Sequence, residues 1–152
     1  MSSSVIGHPP SSSSAWNTIK LLAVCADRDD CLSLEGILEP GECQVDNVTS
    51  CEEAVRFLQS NGPFLIMCEQ SLPDGSWKDL IRSVRSLENP PPVIVMSWHA
   101  DEALWAEVLN LGGYDVLMKP FDAQEVSRVT RMAWLHWQHQ GKSRAFSVRS
   151  VA

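Results

Sequence analysis

Apolar residues along this chain fall in short blocks that alternate between two periods. Ile19 to Cys25 is a nearly continuous apolar run, as expected of a strand buried on both faces. Asp27, Asp29 and Asp30 then offer helix-capping carboxylates. Leu34, Ile37 and Leu38 recur at helical spacing until Pro40-Gly41 ends the pattern. Gln44 to Val48 is a weak second strand, and Thr49 or Ser50 caps a helix whose apolar side is Ala54, Val55, Phe57 and Leu58. After Asn61-Gly62-Pro63 come a strand at Phe64 to Cys68 and a helix at Trp77 to Leu87. Three prolines, Pro90 to Pro92, lead into a strand at Val93 to Ser97. Helix Asp101 to Leu111, strand Val116 to Met118 and a helix from about Ala123 to Gln140 complete the series. Five strands alternating with five helices predict an α/β protein with a doubly wound parallel sheet. Working sites in such folds lie at the carboxyl ends of the strands. Here those ends are Cys25/Ala26, Glu69, Ser97 and Lys119.

Composition narrows the function classes. Residues 1–17, rich in Ser, are expected to be a disordered leader, and residues 141–152 a flexible tail. The start lacks the basic-then-apolar pattern of a secretory signal, which points to the cytoplasm. No apolar run approaches the length that crosses a bilayer, so no membrane association is expected. A net charge of −7 argues against broad nucleic-acid binding. Five cysteines at irregular spacing include no C-x-x-C pair, so neither a metal site nor a dithiol centre is signalled.

Three segments carry a resemblance. They are Glu69-Gln70-Ser71-Leu72-Pro73-Asp74-Gly75, Pro92-Val93-Ile94-Val95-Met96-Ser97 and Lys119-Pro120-Phe121. In this order and spacing, residues 18–140 resemble a response-regulator receiver domain of two-component phosphorelay signalling. The resemblance implies a flavodoxin-like (βα)5 sandwich with a five-stranded parallel sheet. It also implies an aspartate after the third strand that accepts a phosphoryl group, and two acids after the first that help it hold Mg²⁺. A hydroxyl and a lysine bind the phosphoryl oxygens, because the transferred group is strongly anionic.

Carried over residue by residue, Ser97 and Lys119 match the hydroxyl and the lysine. Glu69 stands at the phosphoacceptor position with one methylene too many, and misplacement by ~1 Å costs ~100-fold in rate. Cys25 and Ala26 occupy the positions of the two acids, with Asp27 just beyond. A one-residue slip makes Asp27 the second acid but turns Glu35 and Glu39 toward the core. On either alignment at least one metal-binding acid is missing, and Mg²⁺ binding is expected to be weak or absent. Val116 replaces the aromatic of the family's switch, and Trp98 follows the hydroxyl where a small residue is usual, over the pocket mouth.

These departures imply an atypical, degenerate receiver, not an enzyme, that acts through protein–protein contacts without aspartyl phosphorylation. Glu69 then either mimics a phosphorylated aspartate or marks a decayed site paired with Lys119. A working phosphoacceptor regulator, and a small-molecule or thiol sensor built on Cys25, are the alternatives. The implied partners are a histidine kinase or another regulator, or a second copy bound through the helix 4–strand 5–helix 5 side. Trp105, Met132, Trp134 and Leu135 are the candidate interface there, in a chain with six tryptophans.

Overall fold

The computed structural model describes residues 18–151 apart from 39, 40 and 63, with side chains as far as residue 140. Five strands form one all-parallel sheet: β1 (Ile19–Val24), β2 (Cys43–Val48), β3 (Leu65–Glu69), β4 (Val93–Ser97) and β5 (Asp115–Met118). The helices between them are α1 (Arg28–Ile37), α2 (Cys51–Asn61), α3 (Trp77–Val84) and α4 (Glu102–Asn110), and α5 (Ala123–Val151) closes the chain. Strand order is β2-β1-β3-β4-β5. The order reverses between β1 and β3, and the crevice beyond their carboxyl ends is the place for a site in this topology.

Strand periodicity divides the core in two. Leu21, Ala23, Leu65, Met67, Ile94, Met96 and Leu117 face one side, against Leu34 of α1 and Val126, Val129, Ala133 and Trp137 of α5. Leu22, Val24, Ile66, Cys68, Val93 and Val95 face the other, against α2, α3 and α4. The inner strands therefore bury both faces, which explains the apolar runs of β1, β3 and β4, interrupted only by the exposed Lys20 of β1. The two edge strands, β2 and β5, are partly exposed along their length, and β2 carries the weaker apolar pattern.

Helix starts are capped by side chains, at α1 and α2 by residues expected to do so. Asp27 accepts from Asp29 N, Ser50 from Glu53 N, and Asp101 from Leu104 N. Ser76 and Asp79 form a reciprocal capping box at α3. Asp74, five residues after the end of β3, caps α2 from outside by accepting from Cys51 N (2.9 Å) and Glu52 N (3.0 Å). That contact ties the turn after Glu69 to the neighbouring helix.

Three expectations need correction or fall elsewhere. α3 ends at Val84, short of Leu87. α5 does not stop at Gln140 but continues through Gly141 to Val151. A single glycine costs a helix only ~1 kcal/mol, and no proline follows to break it. The expected leader, residues 1–17, lies outside the described residues.

Candidate functional site

The crevice between β1 and β3 holds a compact ionic cluster. Lys119, one residue past β5, is buried at 4% relative exposure and donates to two carboxylates. Its Nζ lies 2.6 Å from Asp30 Oδ2 and 2.5 Å from Glu69 Oε1. Glu69 arrives as the last residue of β3, and the Lys119-Pro120 peptide is cis. Asp30 reaches the lysine from the first turn of α1. It is not a cap, and its part in the site was missed by the sequence reading. A signal was available: Asp30 precedes Leu34 by four residues, so it stands on the stripe that α1 turns inward.

Two carboxylates on one lysine share a proton more readily than either would alone. Burial pushes the Glu69 carboxyl up and its hydrogen bond with Asp30 adds to this, to about 7, against the pull of Lys119. Burial acts on Asp30 in the same sense, but the hydrogen bonds of Glu69 and Lys119 outweigh it and hold Asp30 below the ordinary range. Burial likewise opposes the charge on Lys119, and its two carboxylates overcome that and raise it. The lysine stays charged and is neutralised from within the chain.

The remaining expected residues surround this cluster without joining it. Ser97 is buried, but its hydroxyl donates to Gln70 Oε1 at 2.6 Å and accepts from His99 N at 2.9 Å. It is therefore committed to the β3 loop. Trp98 is exposed, and its ring centroid lies 5.9 Å from Lys119 Nζ, over the pocket as its position after the hydroxyl suggests. Val116 is half-buried against the α2–α4 core.

At the end of β1, Cys25 is buried and Ala26 exposed, while Asp27 spends its carboxylate on the α1 cap. Glu35 is exposed, as the ungapped alignment requires. Burial raises the Cys25 thiol, and the neighbouring Cys31 raises it further. Cys31, pushed up chiefly by burial, accepts from Asn47 Nδ2 at 2.8 Å. Thiols held neutral in this way are poor nucleophiles.

Mg²⁺ requires a near-octahedral set of oxygens. A raised thiol at Cys25, a methyl at Ala26, a capping carboxylate at Asp27 and two lysine-bound carboxylates do not supply one. Among the described residues no group of three or more His, Cys, Asp or Glu is placed to hold a metal. The residues present do not fit the ion.

Of the candidate interface residues, Trp105, Met132 and Leu135 are exposed. Trp134 is not: at 9% exposure it belongs to the core and packs edge-on against Trp137, centroids 5.5 Å apart. The inward stripe of α5 is wider than Val126, Val129, Ala133 and Trp137, and runs over Thr130 and Trp134 as well. The exposed residues also fall on two grooves. Trp105 lines one with Val116 and Met118, between α4, β5 and the start of α5, while Met132 and Leu135 line another along α5. Met118 is a further exposed apolar residue that the pattern of the chain did not single out.

Comparison with known proteins bears on the family and the fold. The pattern of the response regulator receiver domain matches residues 24–131. The chain is 32% identical over 98 residues to the transcriptional regulatory protein PhoP of Escherichia coli, a match that takes in 64% of this chain and 43% of PhoP. It is 27% identical over 96 residues to the DNA-binding transcriptional regulator NtrC of Salmonella typhimurium, covering 63% of this chain and 20% of NtrC. The chain thus spans less than half the length of these curated relatives. Among solved structures, a two-component response regulator from Clostridium difficile superposes with a TM-score of 0.69 at 29% identity, over 76% of this chain and 95% of that one. No helix among the described residues is long and apolar enough to cross a membrane.

Proposed function

The chain belongs to the response regulator receiver domain family, and on that premise we propose that it signals by protein–protein contact without Mg²⁺-dependent aspartyl phosphorylation. One observation carries the reading. Lys119, which stands where the family binds the incoming phosphoryl group, is already neutralised by Asp30 at 2.6 Å and Glu69 at 2.5 Å. A phosphoryl group entering this pocket meets a lysine already paired with two carboxylates, so the electrostatic attraction that drives such transfers is largely offset.

The same contacts bear on the idea that Glu69 imitates a phosphorylated aspartate. A phosphoryl mimic has to present charge to both the lysine and the hydroxyl, and here Ser97 is bonded to Gln70 instead. Glu69 also holds a proton up to about pH 7. We therefore favour a zipped pocket, fixed in one state, over a permanently activated one. In this role the protein is not an enzyme, works in the cytoplasm, and delivers its output by docking on a kinase, another regulator or a second copy. The groove formed by Trp105, Val116 and Met118 is the surface we assign to that contact.

Incubating the protein with Mg²⁺ and acetyl phosphate, and separately with Mg²⁺ and beryllofluoride, tests the proposal. Intact-mass spectra and amide spectra around Glu69 and Lys119 are expected to stay unchanged. Stoichiometric, Mg²⁺-dependent modification at Glu69 would overturn it.

A further inference from the structure

A second concave region lies at the opposite end of the sheet, where β4 and β5 begin. The carboxyl end of α3, the proline run, the Gly112-Gly113-Tyr114 turn and α5 enclose a cleft of about 340 Å³. That volume is within the range of small-molecule sites. Its walls are apolar where Ile81, Pro91 and Trp137 form them, and its mouth carries Arg85, Tyr114 and His136.

The shape is held by backbone requirements. Gly112 has φ +100°, and the Arg85 guanidinium lies against it, with Nε 3.9 Å from where a Cβ would sit. A Cβ at Gly113 would meet Val108 Cγ1 at 2.4 Å, so this turn admits no side chain on its inner side. Tyr114 N donates to Val93 O at 2.7 Å, which fixes the turn to the start of β4.

The polar side chains lining the cleft are Arg85, Tyr114, His136 and Gln140. Among the described residues no Asp or Glu lines the cleft, in a chain with 19 acidic residues against 12 Lys and Arg. Arg85 has no carboxylate partner among the described residues; its guanidinium donates to Leu111 O at 3.4 Å. The Tyr114 ring rests 5.8 Å from that of His136. The indole Nε1 of Trp137 is buried with no hydrogen-bond partner among the described residues, a costly state for a donor. A guanidinium fork beside an apolar wall matches one class of ligand, a carboxylate on a compact apolar body.

We infer that this cleft is a binding site for a small organic monocarboxylate, its charge on Arg85 and its apolar body against Ile81, Pro91 and Trp137. The site is independent of the Lys119 pocket and of the contact role proposed above.

Titration of sodium benzoate into the full ¹⁵N-labelled chain tests it. The Trp137 indole resonance, assigned by its loss in Trp137→Phe, and the Gly113 amide are expected to shift saturably. Benzamide, which lacks the charge, and inorganic phosphate, which lacks the apolar body, are expected to bind about tenfold more weakly or worse. Arg85→Gln should weaken benzoate by about tenfold while the rest of the spectrum stays native, and Arg85→Lys should fall between the two. If Arg85→Gln fails to fold, the lysine variant and the two control ligands still decide the matter. The inference is overturned by no saturable response to benzoate, by an equal response to benzamide or phosphate, or by titration of either arginine variant with the parental affinity.

Discussion

The two halves of the Lys119 pocket have fared differently. On the β4–β5 side, Ser97 and Lys119 are both buried at their strand ends, the lysine followed by a cis peptide to Pro120. On the β1–α1 side, the strand ends in Cys25 and Ala26, and the acid that reaches the lysine comes instead from Asp30, one turn into the helix. One half thus keeps the hydroxyl and the lysine, and the other supplies the lysine with an internal counter-ion. A cavity assembled from separate strands can thus lose one half of its chemistry and stay filled, provided each buried charge finds a partner. Here the partner for the lysine is supplied twice.

The largest test of this comparison removes its shared member. Lys119→Met leaves two buried carboxylates facing each other, and stability is expected to fall by about 3–5 kcal/mol at pH 8 in denaturant titration. The loss should shrink at acid pH, where the carboxyls protonate. An effect below ~1 kcal/mol at pH 8 would show that the pocket is far wetter than its burial suggests.

The pH profile of the parent comes next. Glu69 binds its proton more tightly folded (about 7) than at its ordinary value of 4.5. Between these values the folded state holds more protons than the unfolded, so stability falls as pH rises from 4.5 through 7. The span is on the order of 3 kcal/mol. Asp30 is shifted the other way, so its contribution is lost only as pH falls below the usual aspartate range. Glu69→Gln should flatten the slope between pH 4.5 and 7, read from urea midpoints at several pH values. An unchanged slope would assign the titration elsewhere.

Asp30→Asn separates the two carboxylates. Glu69 then keeps Lys119 to itself and is expected to titrate lower by carbon-detected NMR, since Asp30 helps to raise it. The accompanying stability loss should be about 1–3 kcal/mol. A Glu69 midpoint that does not move would mean burial alone raises it. The smallest effect belongs to the rim. Trp98→Ala removes an exposed ring above the lysine and should cost about 0.5–1 kcal/mol or less.

Much of the architecture was legible from residue pattern because it rests on local preferences. The runs at Ile19, Phe64 and Val93 became inner strands, and Asp27 and Ser50 became caps. Glu69, Ser97 and Lys119 were found because strand ends converge in this topology. Trp134 was misplaced because a four-residue stripe understates how much of a long helix a sheet covers. Asp30 was read as one more capping acid in a run of three. Its neighbours in sequence say nothing of a lysine 89 residues away.

By itself the sequence determined the periodicities, the caps, the turn glycines and the substitutions at Cys25, Ala26 and Glu69, all of which act within a few residues. Only the tertiary structure decided where the buried charges went. It placed Lys119 between Asp30 and Glu69, turned Ser97 to Gln70 and brought Arg85 to a cleft without acids. The reason is physical. A side chain's cost of burial is set by whichever partner the closed fold puts within hydrogen-bonding reach, and that partner lies on another strand or helix.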